Sequence, residues 1–378
     1  MSRIVRVEVG RFDYELVGEF KFFNTGARPS VVVRLTDADG VQGWGQSVPV
    51  ETWTYETVET VETTLRLYLA PAILGADPTN LAEVHARMER AIKPSFSVGQ
   101  PLCKAAIDLA CYDLWGKRTE RPVSALLGGA EQRRITLSWT VQSPTLAGAE
   151  QQVAEARALG YRSCNVKIGP PQTPQYDAEL VRRVRELAPD GFHWADANTG
   201  YDLETALAIA PKLADAGFAA LESPLPPNRI RDYRALKAQG ALPILMDEGV
   251  VSPVEAAEFI ALGMLDGIAM KVARCGGLWN AARIVSLLRD NGLRVFASGL
   301  TDPDWSLAAS IHLFAWAGLT LPAALNGPQY LAGRGTTDPR FGAVGDIVRV
   351  PEAPGLGLVP DDRLEQSLQV VAETRPGG

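Results

Sequence analysis

Five short apolar runs, each closed by a charged side chain and each followed by a helix-like segment, constrain this chain more than any other feature. The runs are Arg162 to Lys167, Phe192 to Asp196, Phe218 to Glu222, Pro243 to Asp247 and Gly267 to Lys271. The three acids lie 26 and 25 residues apart. That interval holds one strand, one loop and one helix, the repeat of a βα barrel. Asp196, Glu222 and Asp247 are therefore expected at the carboxyl ends of three successive parallel strands, with Lys167 one strand before and Lys271 one strand after. The carboxyl-end face is where such barrels carry their chemistry.

The alternation extends in both directions. Helical periodicity covers 146–159, 177–187, 203–216, 230–238, 253–262, 278–291 and 305–317. With a first strand from Ile135 to Thr140 and two more closing at Ser298 and Asn326, eight strands are expected. Ahead of them the pattern differs. Strands are expected at 3–16, 30–35 and 41–45, the last two joined by Asp37-Ala38-Asp39-Gly40, a hairpin signal. Helices follow at 57–69 and 103–114, the second carrying Asp108 and Asp113 inside an apolar stretch. The chain thus divides into an α+β unit (1–130), a barrel (131–326) and a Pro- and Gly-rich segment (327–378), expected to fold back on the first unit. With 378 residues, 46% hydrophobic, there is material for both a large barrel and a second unit.

The net charge of −7, with no basic block, argues against nucleic-acid and anionic-membrane partners. No apolar run of about 18 residues offers a membrane span, and the first residues lack a signal-peptide core. Cys103, Cys111, Cys164 and Cys275 show no paired spacing, as expected of packing thiols in a reducing cytosol. A cytoplasmic location is the expectation.

Three converging carboxylates cannot all stay charged without a cation. Hard oxygen donors with no cysteine or histidine among them favour Mg²⁺ over zinc. Asn198 and Glu248 stand beside these ligands as further site residues. Asn165 and Lys167 share a strand face, and a lysine near a divalent cation should lose affinity for its proton and serve as a base. Lys167 and Lys271 lie four strands apart on a ring of eight, so they should face a substrate from opposite sides. His85, His193 and His312 are out of register for such work. Ser298 and Asn326 close the last two strands as substrate contacts, and the aromatic loops 19–27 and 47–55 offer Phe22 and Trp53, with a cation–π contact to a cationic substrate as one use.

Taken together, Asn-x-Lys at 165–167, Asp196-x-Asn198, Glu222-x-Pro224, Asp247-Glu248 and Lys271 before Gly276-Gly277 resemble the enolase superfamily in its muconate-lactonizing-enzyme-like branch. The hairpin at Gly43-Trp44-Gly45 and the helix ending Asp113-Leu114-Trp115-Gly116-Lys117 extend the likeness over nearly the whole chain. The resemblance implies a modified TIM barrel, (β/α)7β, under an α+β capping domain, in a homo-oligomer. It implies Mg²⁺ on Asp196, Glu222 and Asp247, α-proton abstraction by Lys167 or Lys271, and an enediolate intermediate. Two departures stand out. Asn165 replaces the usual lysine two residues before the base, removing a charge that would lower the pKa of Lys167. The His-Asp pair of mandelate-racemase-like relatives is absent. Two opposed lysines suit a racemase or epimerase of a small carboxylate, and the register around Lys167 and Lys271 resembles hydroxyproline-betaine epimerases, which implies a proline or hydroxyproline betaine as one substrate. A dehydratase, a cycloisomerase and a non-catalytic binding protein are the alternatives.

Overall fold

The computed structural model describes residues 2–18, 20, 22–23, 26–94, 97–337 and 342–374. Three antiparallel strands open the chain: β1 (Ile4–Leu16), β2 (Ala27–Asp37) and β3 (Gln42–Ser47). The Asp37 carboxylate accepts from the N–H groups of Asp39 and Val41, which sets the β2–β3 turn. Helix Pro101–Arg118 lies across β3 so closely that a Cβ on Gly45 would stand 2.0 Å from the Ala106 carbonyl oxygen. The helix expected at 57–69 is α-helical only over Val58–Thr64; Leu65–Leu69 widens into a π turn before Ala70–Ile73. Pro71 has no N–H to donate back, so the regular ladder cannot run through it.

The barrel follows. After β4 (Arg134–Thr136) come seven parallel strands in chain order: β5 (Trp139–Val141), β6 (Cys164–Lys167), β7 (His193–Asp196), β8 (Leu221–Glu222), β9 (Ile244–Met246), β10 (Gly267–Met270) and β11 (Arg294–Ala297). The expected first and eighth strands need correction. Ile135 belongs to β4, which pairs antiparallel with a late strand, and the barrel begins at Trp139. No regular strand closes at Asn326; single bridges from Ala323 to Leu137 and from Ala324 to Ser298 fill the eighth position. The run from Ile135 to Thr140 reads as one strand by composition, but the Leu137 and Ser138 N–H groups go to Asp346 and Ala323, different partners that split it. Inside, Trp194, Ala220, Leu245, Phe296 and Ala324 fill the barrel below its mouth.

The remaining strands are β12 (Leu331–Ala332), β13 (Ala343–Val344), β14 (Ile347–Arg349) and β15 (Gln369–Glu373). The first and last pair with β1, while β13 and β14 join β4. The late segment therefore touches both units. Two buried acids on helix Pro101–Arg118 tie the first unit to the rest of the chain, one to the barrel and one to the late segment. Asp108 accepts from the Leu278 and Trp279 N–H groups at 2.6 and 3.3 Å, capping the barrel helix Leu278–Asp290, whose own N-cap Gly277 has no side chain. Asp113 accepts from Trp44 and Leu356 at 2.8 and 2.7 Å. Among the described residues no helix is long and apolar enough to cross a membrane.

Candidate active site

Parallel register builds the mouth of the barrel. Lys167 is level with Asp196, and Asp196 with Glu222. Asp247 and Lys271 stand one residue past β9 and β10, and Ser298 one residue past β11. The ends of six neighbouring strands thus carry two lysines, three acids and a serine around one opening.

Each acid is engaged. Lys167 Nζ donates to Asp196 Oδ2 at 2.5 Å, and Asn198 adds its backbone N–H at 2.8 Å and its Nδ2 at 3.0 Å to the same carboxylate. Trp194 Nε1 donates to Glu222 Oε2 at 2.7 Å. Lys271 Nζ reaches Asp247 Oδ2 at 2.5 Å, Ser298 Oγ at 2.8 Å and Glu222 Oε1 at 4.0 Å. Arg274, 1% exposed, donates to Asp247 Oδ1. Glu248 accepts from Ser223 Oγ and from Asn198 Nδ2 at 3.2 Å. Asn198 and Ser223 reach these positions with φ of +43° each, backbone strain held at the ends of β7 and β8.

Burial, followed by the charge of Asp196, pushes Glu222 up to about 8. Burial, followed by Asp247, raises Glu248. For Lys167 burial pulls the pKa down, but Asp196 and Glu222 outweigh it and the net direction is upward. The fall expected from the sequence requires a neighbouring cation; the carboxylates alone act the other way.

Among the described residues no three His, Cys, Asp or Glu side chains are gathered around one point in a way that would hold a metal ion. The cause is visible: Lys167 draws on Asp196 while Lys271 and Arg274 draw on Asp247. The donor set nevertheless suits Mg²⁺. It offers hard oxygens from three adjacent strands, a carboxyl at Glu222 that burial and like charge keep from ionising, and a buried acceptor, Asn198 Oδ1, with no partner among the described residues.

Trp53 roofs this cluster, its ring centroid 5.5 Å from Lys271 Nζ and 5.9 Å from the Arg274 guanidinium carbon. Phe22 stacks on it at 4.4 Å with planes 4° apart. The cations facing Trp53 are thus the protein's own. Of loop 19–27, residues 19, 21, 24 and 25 lie outside the described residues. Asn165 and Asn326 are buried at the other side of the ring. The histidines are engaged elsewhere: His193 Nδ1 accepts from Cys164 N–H with Nε2 against the Ala188 carbonyl, His312 Nδ1 accepts from Ser124 N–H, and His85 pairs with Asp108. The four cysteines are free and buried.

Sequence reasoning missed Arg274, Ser223 and Trp194. Arg274 had a signal, being the only charge besides Lys271 between Gly267 and Gly277. Ser223 and Trp194 had none, since their roles depend on neighbouring strands.

Residues 21–128 match the family model described as mandelate racemase / muconate lactonizing enzyme, N-terminal domain, and residues 148–364 match enolase C-terminal domain-like. The o-succinylbenzoate synthase of Geobacillus stearothermophilus is 33% identical over 88% of this chain and 86% of its own length. The N-succinyl-L-Arg/Lys racemase of Bacillus cereus is 26% identical over 89% and 90%. The crystal structure of 2-chloromuconate cycloisomerase from Rhodococcus opacus 1CP superposes with a TM-score of 0.89 at 28% identity, covering 97% of this chain and 100% of that one.

Proposed function

Because this chain belongs to the mandelate racemase/muconate lactonizing enzyme family of the enolase superfamily, we propose that it is a Mg²⁺-dependent isomerase that inverts the α-carbon of a small carboxylate. The observation that carries the reading is the placement of Lys167 and Lys271 at the ends of β6 and β10, four strands apart, each hydrogen-bonded to one acid of the same cluster. Asp196, Glu222 and Asp247 would hold the ion. Bound there, it would neutralise charge that gathers on the substrate carboxylate as the α-proton leaves.

The chain's own residues supply the rest. Asp196, the foremost charge beside it, holds the Lys167 ammonium protonated; with that carboxylate engaged elsewhere, burial would prevail and free a neutral amine. Lys167 then takes the α-proton from one face, and Lys271 Nζ, oriented by Ser298 Oγ and Asp247, returns a proton to the other. Arg274 holds Asp247 turned toward Lys271. Trp53 and Phe22 exclude water above. The name of one structural relative supports a second reading, in which the same enediolate is partitioned toward cycloisomerisation, with β-elimination a further outcome open to such an intermediate.

Proton exchange in D₂O separates these readings. The inverted product should carry deuterium at the α-carbon from the first turnover. Lys167→Ala and Lys271→Ala should each end inversion while exchanging opposite enantiomers. Exchange of both enantiomers by one single-lysine variant refutes two opposed bases and favours elimination.

A further inference from the structure

The barrel mouth has a second half that the acids and lysines leave untouched. Going round the ring from Ser298, the next positions are Asn326, Thr140 on β5 and Asn165 on β6, before Lys167 begins the charged half. Thr140 is level with Asn165 in parallel register, so both side chains leave the sheet on one face, the face Lys167 shares two residues on. Asn326 lies two residues beyond Ala324, which packs inside the barrel against Trp194 and Phe296. Gln329 ties that segment to β5, clamping the Thr140 backbone N–H and carbonyl at 2.9 Å each.

All three side chains are almost wholly buried, Thr140 at 0%, Asn165 at 1% and Asn326 at 5% exposure. Each nevertheless has a buried polar atom without a hydrogen-bond partner among the described residues: Thr140 Oγ1, Asn165 Nδ2 and Asn326 Oδ1. Unmet buried polar atoms are uncommon because folding strips their water without replacing it. Here three fall on adjacent positions of one ring, a donor, an acceptor and a hydroxyl able to be either. None carries charge.

We propose that Thr140, Asn165 and Asn326 form a neutral hydrogen-bonding subsite for a substituent of the substrate that both donates and accepts, an amide or a hydroxyl, and not a second carboxylate. The proposal rests on the carboxylate reading above for the other end of the substrate. Asn165 gains a reason in this arrangement: a lysine there would bring a positive charge where a neutral dipole is matched. A second carboxylate would be desolvated here with no cation among these three residues to offset the loss.

Calorimetric titration of the intact chain in saturating MgCl₂ tests this with three acids of similar shape: N-acetyl-L-alanine, 2,4-dimethylpentanoate (the amide replaced by hydrocarbon) and 2-methylsuccinate (a second carboxylate). N-acetyl-L-alanine should bind roughly 100-fold more tightly than either, the discrimination of a site built to pair a polar group. Thr140→Val and Asn165→Leu should each cut that ratio about tenfold. Equal binding of the three acids, tightest binding of 2-methylsuccinate, or no binding of N-acetyl-L-alanine overturns the subsite, and the wild-type comparison needs no variant to fold. Deuterium exchange in the same samples separates the two claims. A strong binding ratio without exchange leaves the subsite standing and removes the catalytic reading; exchange without a ratio does the reverse.

Discussion

Mg²⁺ binding should expel a proton from this protein at neutral pH. Burial and the neighbouring Asp196 push the Glu222 carboxyl up to about 8. At pH 7 such a group is roughly nine-tenths protonated, and a cation takes carboxylates in their ionised form. Glu222 should therefore release about 0.9 proton per ion at pH 7 and about 0.1 at pH 9, to which deprotonation of Lys167 adds. Isothermal titration of Mg²⁺ in buffers of different ionisation enthalpy measures this number as the slope of observed heat against buffer enthalpy. Glu222→Gln should weaken binding and lower the slope at pH 7 by about that amount, leaving only the proton that Lys167 gives up. A wild-type slope of zero at pH 7 would refute the reasoning, because Glu222 would then be ionised before the ion arrives. Stability carries the same sign. A carboxyl raised in the folded state contributes stability that is fully present below its unfolded value of 4.5 and is lost as pH rises through about 8. The Glu222 contribution should thus make the metal-free protein melt lower as pH climbs through that window, and saturating Mg²⁺ should flatten the trend.

Two further outcomes follow from the packing. Asp108→Ala leaves the Leu278 and Trp279 N–H groups buried without acceptors and uncaps a helix, and should cost about 3 kcal/mol in urea unfolding, with a loss under about 1 kcal/mol contradicting the strut. Trp53→Ala removes the ring stacked on Phe22 above Lys271 and should raise KM roughly tenfold with a smaller change in kcat; a fall in kcat alone would place Trp53 in the chemistry instead.

Residue chemistry and period alone determined the order of elements. Apolar runs ended by charge, at intervals set by one strand and one helix, put Lys167, Asp196, Glu222, Asp247 and Lys271 at strand ends, and register brought the first three level. Helix limits were legible within a few residues because 3.6-residue periodicity is local. Tertiary structure decided what depends on partners far along the chain. The closing of the ring by Ala323 and Ala324 rests on bridges to Leu137 and Ser298, and no local pattern distinguishes those from a regular strand. Arg274 becomes a partner of Asp247 only because the turn after β10 brings it back to the mouth, 27 residues from that acid. The direction of the Lys167 shift depended on a balance between burial and two carboxylates that only distances set. The unmet atoms of Thr140, Asn165 and Asn326 are likewise invisible in sequence, since an unpaired polar atom is defined by what fails to come near it, and proximity across 186 residues belongs to the fold.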